Sequence, residues 1–266
     1  MDEVARYNSE RWKALDEVNA VFTRPDFNQT AESAARYVNK GNRFGDLAGK
    51  DVLCLAAGGG QQSAAFGLLG ANVTVLDLSP AQLAKDRQIA DHYHLTIKTI
   101  QGDMRDLSGL EAASFDVVYH PHSLDFVPDA GVVFEQVAGL LRQGGFYYFD
   151  CTNPFYAGCS EEDWNGDGYV RKYPYRAGQM IEVPDADWTF DRTKHPDATV
   201  PPTRIYTRSF AEMMNKLFDL GFVLFHVEDW HAIHPDPEAE PGTFGHFVSV
   251  TPPWMAYWLR YQPEKA

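Results

Sequence analysis

Three groups of residues have types and spacings that could do chemistry. The first is the run Gly58, Gly59 and Gly60, which follows the apolar stretch from Val52 to Ala57 and precedes a helix-forming stretch that begins at Gln61. Missing side chains there let backbone N–H groups and a ligand approach closely. The second is a pair of carboxylates. Asp77 closes the next apolar stretch seventeen positions after Gly60, where a carboxylate can accept both hydroxyls of an adenosine ribose. Asp103 stands beside Met104 in QGDMRDL, an acidic group and an apolar one able to bracket an adenine ring. The third is the pair His120 and His122, imidazoles that titrate near neutral pH and can take a proton from a nucleophile. His122 is the first candidate for that base and His120 the second.

Other candidates are weighed against plainer roles. An HxH pair also suggests a metal, but no third ligand follows at a suitable spacing, so no metal is expected. Asp125 and Asp129 could anchor a substrate, although Asp129 also suits a helix cap. Trp164, Tyr169, Tyr173, Tyr175 and Trp188 cluster near Glu161, Glu162 and Asp163. Aromatic faces beside carboxylates would suit a planar or cationic small molecule, and Trp164, Tyr169 and Trp188 are the substrate-binding candidates. The alternative is that these rings form a small core of their own. Tyr7 and Trp12 either cover the ligand as a lid or pack the first helix. Cys54 lies inside a buried strand and is expected to be inert.

The elements that must position these groups can be read from periodicity. Helical spacing marks Ser9 to Ala20 and Gln29 to Asn39. Strands are expected at 52–57, 73–78, 96–101, 115–120 and 145–150, with helices at 61–69, 80–93 and 130–141 between them. Ser79 and Pro80 supply a cap and a first-turn residue. Strands alternating with helices at this spacing imply right-handed crossovers and a mainly parallel sheet with helices on both faces. After residue 150 the rhythm fails for roughly fifty-five residues, a connection long enough to carry structure or function of its own. Within it, 169–175 and 180–183 flank a turn and suggest a hairpin, and 203–207 could add a strand. A helix at 209–220, a strand at 223–227 and a last strand at 244–250 complete the plan. The expected division is a helical lid over residues 1–44 and one domain over 45–266, with a β-rich cap insertion at 155–208 above the carboxyl ends of the strands, where open α/β sheets bind ligands.

Composition narrows the function classes. With 266 residues, 44% of them hydrophobic and 23% charged, the chain must bury a real core. Its 23 Lys and Arg against 37 Asp and Glu give a net charge of −14, a field that repels phosphate backbones and anionic membranes. Nucleic acid is therefore not an expected partner. No stretch approaches the ~20 apolar residues of a membrane helix, and the acidic start lacks the features of a signal peptide, so a cytoplasmic location is expected. Three cysteines without a CxxC pair argue against a disulfide framework or a structural zinc. Oligomeric state is not legible.

Taken in order, VLCLAAGGGQQ, VTVLDLSPAQL, QGDMRDL, FDVVYHPHSLDFVPD and LLRQGGFYYF resemble the class I S-adenosylmethionine-dependent methyltransferases, over about residues 45–150. The resemblance implies a Rossmann-like sheet of seven strands, the last antiparallel to the rest, and S-adenosylmethionine as cofactor. It places Gly58 and Gly60 under the methionine part, Asp77 on the ribose, Leu78 beside the adenine, Asp103 and Met104 at the adenine edge, and His120 near the sulfonium. Two departures stand out. The family usually has an acidic residue where Cys54 stands and a glycine where Ala56 stands, so the cofactor's ammonium group needs another partner. Backbone carbonyls near Ala56 or the side chains of Gln61 and Gln62 could serve. The implied activity is methyl transfer to a small-molecule acceptor. Two other readings remain: a sensor or scaffold that binds S-adenosylmethionine without turnover, and an NAD-dependent oxidoreductase. The latter's GxGxxG spacing would need a third glycine where Ser63 stands.

Overall fold

The computed structural model describes residues 1–183, 185, 189–230 and 235–263. Helix α1 spans Glu3–Glu17 and α2 spans Ala31–Val38. Strand β1 (Asp51–Leu55), helix α3 (Gln61–Leu68), strand β2 (Asn72–Asp77), helix α4 (Pro80–Tyr93) and strand β3 (Ile97–Gln101) form the first half of the sheet. Strand β4 (Phe115–His120), helix α5 (Ala130–Leu140) and strand β5 (Leu141–Thr152) follow. The insertion contributes β6 (Met180–Val183) and β7 (Thr203–Tyr206), and the chain closes with α6 (Phe210–Asp219), β8 (Phe222–Trp230), α7 (Phe244–Val250) and β9 (Trp254–Tyr261).

The seven-stranded sheet has the order β3-β2-β1-β4-β5-β9-β8. Pairs from β3 to β5 are parallel, and β9 runs antiparallel to both β5 and β8. Side chains alternate across a strand, so each strand feeds two cores. On one face Leu53, Leu55, Val118, Tyr147 and Phe149 pack against α5 and α6 through Phe134, Val137, Met213 and Leu217. On the other, Val52, Cys54, Val75, Tyr119 and Tyr148 pack against α2, α3 and α4 through Val38, Phe66 and Leu83. Strands covered on both faces read as continuous apolar runs, which is why they were visible in sequence.

Local capping fixes where the helices start. The Ser79 side chain accepts from Gln82 N–H with Pro80 in the first turn, Asp129 accepts from Gly131 N–H, and Ser209 accepts from Glu212 N–H. Asp129 is thus the cap of α5.

The structure corrects two of the expected elements. Residues 244–250 form helix α7, not the last strand, because Phe247 and Val248 are buried on one helical face; the Pro252-Pro253 break then leads into the true last strand, β9. A short apolar run does not settle its own period. The hairpin partner also differs: β6 pairs antiparallel with β7, not with 169–175. Among the described residues, no helix is long and apolar enough to cross a membrane.

Helix α1 joins the insertion to the sheet domain. Arg11 pairs with Asp185 at 2.6 Å, and Tyr7 Oη donates to the Pro202 carbonyl at 2.8 Å. On the other side Asn8 donates to the Phe126 carbonyl at 2.9 Å, and Asp16 pairs with Lys85 of α4. Trp12 meets Phe22 and Phe126 edge to face.

Candidate active site

The glycine loop, residues 56–60, connects the carboxyl end of β1 to α3. Ala56 adopts φ +46°, a left-handed conformation that glycine tolerates better, in agreement with the glycine usual at this place. Gly59 and Gly60 also have positive φ. At Gly58 the constraint is space: an added Cβ would lie 2.8 Å from Gln82 Cβ and 3.0 Å from the Asp77 carboxylate.

Asp77 ends β2 with its carboxylate fixed by two amides, Gly58 N–H at 2.8 Å and Ser79 N–H at 2.8 Å. Burial raises its pKa above the ordinary carboxylate range, and the N–H groups of Ser79, Gly58 and Leu78 pull it back. Two bonded amides leave acceptor capacity on a carboxylate for further donors. Leu78, partly buried, follows it into the loop before α4. At the end of β3, Asp103 receives Arg105 Nη2 at 2.6 Å and Nε at 3.0 Å, while Met104 is buried. Arg105 also grips Asp2, the cap of α1, at 2.7 Å, which brings the start of the chain to this edge.

The two histidines part company. His120 is fully buried, its Nδ1 is 3.0 Å from Tyr147 Oη, and burial lowers its pKa to about 4 against the opposing charge of Asp150, so the ring is neutral at pH 7. Its Nε2 is buried with no hydrogen-bond partner in the protein. His122 leaves the strand with φ +51°, keeps 43% of its side chain exposed and meets Trp254 edge to face. Its Nδ1 lies 3.0 Å from Asp150 Oδ1, and Asp150 Oδ2 accepts from Tyr148 Oη at 2.7 Å. Burial pushes the imidazole down, but the hydrogen bond to Asp150, its charge and that of Asp125 together hold the pKa above its ordinary value.

The remaining predicted residues are placed as follows. Gln61 Nε2 donates to the carbonyls of Phe22 and Arg24, and Gln62 Nε2 donates to Tyr37 Oη at 2.8 Å, so both amide groups are engaged by the amino-terminal region. Asp125 is buried and accepts from Thr152 N–H and Oγ1, a tie between the segment after β4 and the end of β5. Trp164 and Tyr169 pack against each other and against α7, with Tyr169 Oη 2.8 Å from His246 Nδ1 and accepting from Gly242 N–H at 3.1 Å. The ring pair thus belongs to a small core that holds α7. Trp188 lies outside the described residues. Among the described residues, no group of three or more His, Cys, Asp or Glu is arranged to hold a metal ion. A cavity of about 440 Å³ between α5, α6 and the turn before β6 is lined by Arg208, Met213, Lys216 and, of the candidate residues, Asp129, whose carboxylate is engaged in capping α5.

Sequence reasoning missed Asp150, Tyr148 and Asp86. The first two share a strand face at i and i+2, a signal that was available, but their meeting with His122 depends on the β4–β5 register, which pairs His120 with Phe149. Asp86 sits in mid-helix between Lys85 and Arg87, where a charge reads as solvent-facing, yet it is fully buried against the glycine loop.

A nucleoside-sized ligand suits these residues. Buried polar atoms lack partners at Gln82 Oε1, beside Gly59, and at His120 Nε2, and the absence of a side chain at Gly58 lets the loop lie directly against Gln82 and Asp77. Glycine loop, Asp77, Asp103 and the β4 terminus lie along the carboxyl edge of adjacent parallel strands, where open α/β sheets bind ligands. Residues 53–149 match the methyltransferase-domain family. The uncharacterized methyltransferase YbaJ of Bacillus subtilis (strain 168) is 36% identical over 168 residues, covering 58% of this chain and 64% of that protein. The ubiquinone biosynthesis O-methyltransferase of Cronobacter sakazakii is 34% identical over 111 residues, 42% of this chain and 46% of that one. The matched stretches thus span less than two thirds of these relatives. In fold, the chain superposes on an S-adenosylmethionine-dependent methyltransferase from Mesorhizobium loti with TM-score 0.57 at 23% identity, over 86% of this chain and 99% of the other. The geranyl diphosphate C-methyltransferase of Streptomyces coelicolor A3(2) gives 0.55 at 14% identity, over 86% and 78%. Residues 53–149 are thus similar to a methyltransferase domain, and the chain shares the fold of S-adenosylmethionine-dependent methyltransferases.

Proposed function

We propose that the protein transfers a methyl group to a hydroxyl of a small-molecule acceptor, with His122 as the general base. The observation that carries this reading is the dyad of His122 with the buried Asp150 at the carboxyl end of the central strands. A hydroxyl is protonated at neutral pH and gains most from a base, whereas a carboxylate acceptor needs none. The relatives that are ubiquinone biosynthesis O-methyltransferases agree with oxygen as the nucleophile.

S-adenosylmethionine supplies a methyl group already activated on sulfur, so the chain's own residues have to bind, orient and move one proton. In this reading Gly58 and Gly60 admit the methionine part, Asp77 accepts from the ribose hydroxyls, and Leu78, Asp103 and Met104 border the adenine. Asp150 holds His122 by Nδ1, which leaves Nε2 to receive the acceptor's proton as its oxygen bonds to the methyl carbon. His120, neutral and buried, supports the floor of the site through Tyr147 and is not the base. Residues 1–44 act as the lid through α1, and the insertion at 155–208 selects the acceptor. Trp164 and Tyr169 act there by positioning α7, since the polar end of Tyr169 is already bonded. The acidic surface favours a neutral or cationic acceptor over nucleic acid, and the reaction is placed in the cytoplasm.

The test is transfer from methyl-labelled S-adenosylmethionine to a panel of phenols, alcohols, amines and thiols. Hydroxyl acceptors should be labelled by the wild type and His122→Ala should lose about 10²- to 10⁴-fold in rate, the usual worth of a general base. Labelling of amines or thiols alone, or equal turnover in the variant, would sink the assignment. Tight cofactor binding without any transfer across the panel would favour the sensor reading.

A further inference from the structure

The family's acidic residue at the position of Cys54 is absent here, and the Cys54 thiol is buried. A different carboxylate has come to the same neighbourhood. Asp86, midway along α4, accepts from Gly59 N–H at 3.1 Å, Gly60 N–H at 3.1 Å and Ser63 Oγ at 2.5 Å. It is near enough to Cys54 that its charge adds to burial in raising the thiol's pKa. Asp86 therefore fills, from inside the protein, the place where a glycine loop and helix amino terminus ordinarily receive an anion.

We propose that Asp86 is the positioning residue that sets the cofactor preference of this loop. It closes the loop to anionic groups such as a nucleotide pyrophosphate and turns the loop's carbonyl side to the ammonium group of S-adenosylmethionine. The argument is geometric. A trans peptide is planar with its N–H and C=O on opposite sides. Because the N–H groups of Gly59 and Gly60 point at Asp86, the carbonyls of Gly58 and Gly59 point away from α4. The positive end of the α3 dipole is met by a fixed carboxylate, and a second one, Asp77, stands on the adjoining strand and repels it. An incoming anion would find the N–H groups of Gly58, Gly59 and Gly60 already bonded to Asp77 and Asp86, while an ammonium would meet carbonyl oxygens. Asp86 is fully buried, so the three bonds are a built feature and not a surface contact. The same geometry gives Ser63 a use: it donates to Asp86 at the place where a dinucleotide loop would need its third glycine.

The experiment is calorimetric titration of the full chain with three probes: S-adenosylhomocysteine, its desamino analogue, and ADP. The wild type should prefer the amine-bearing ligand by about tenfold or more, the scale of one charge-assisted hydrogen bond, and should not bind ADP. Asp86→Asn should lose about tenfold on S-adenosylhomocysteine and stay within about twofold on the desamino analogue, with ADP binding gained. In the double variant Cys54→Asp with Asp86→Ala, the preference for the amine should return. A residue of merely structural importance would weaken both adenosyl ligands alike, and that result overturns the proposal. So does a wild type indifferent to the amine, a comparison that holds even if Asp86→Asn fails to fold, or a double variant that folds without recovering the preference. A wild type that binds no S-adenosylhomocysteine overturns both this proposal and the cofactor assignment.

Discussion

His122 and Asp150 meet across adjacent parallel strands, Nδ1 to Oδ1 at 3.0 Å, with the carboxylate buried and the imidazole half in the open. The acid lies two residues past Tyr148 on the same face of β5, and the base two residues past the end of β4. The left-handed backbone at His122 turns the side chain back onto the neighbouring strand, and Tyr148 occupies the second carboxylate oxygen.

The sign of the pH dependence follows from this pair. Protonated His122 is no base, so transfer to a hydroxyl should rise with pH through an inflection above the ordinary histidine value, where the Asp150 bond and charge hold it against burial. In Asp150→Asn the charge is gone and burial remains. The inflection should move to lower pH, and the plateau rate should fall about ten- to hundredfold as the ring loses its orientation. A pH–rate profile of both proteins measures this, and an unmoved inflection would remove Asp150 from the mechanism.

Ala56 holds a left-handed conformation that costs a non-glycine residue about 1–2 kcal/mol, of which the unfolded-state freedom of glycine offsets roughly 0.5–1. Ala56→Gly should therefore stabilise the protein by up to about 1 kcal/mol, or roughly 2–4 °C in Tm for a chain of this size. Thermal unfolding reads it. A lower Tm would mean that the methyl group packs to an extent that outweighs the strain.

Asp77 should matter to binding more than to folding. A charge-assisted hydrogen bond contributes about 1.5–3 kcal/mol, so Asp77→Ala should weaken S-adenosylhomocysteine by roughly one to two orders of magnitude. The loss of its bonds to Gly58 and Ser79 is partly compensated, because Gly59 and Gly60 stay held by Asp86. Unchanged affinity in a titration would refute the ribose assignment.

The sheet was legible because its central strands, β1, β4 and β5, are covered on both faces, so that apolar runs, glycine turns and caps at Ser79, Asp129 and Ser209 coincide in sequence. The carboxyl-terminal region was not, because residues 244–250 are too short for their period to separate helix from strand. The site was legible where one residue follows another along the chain, as at Gly58, Asp77 and Asp103. It was hidden where the relation is tertiary. Asp150 is recognisable only once β4 and β5 are in register, and Asp86 only once α4 lies on the glycine loop. Tyr169 points the other way: a ring assigned by type to the substrate is committed, through His246 and Gly242, to holding α7.

Helix α1 is tied to Asp185 and Pro202 of the insertion and to Lys85, Arg105 and Phe126 of the sheet domain. One helix thus rests on the insertion, on α4 and on the segment after β3 at once. A displacement of the insertion therefore pulls on a helix that is also anchored beside Asp103.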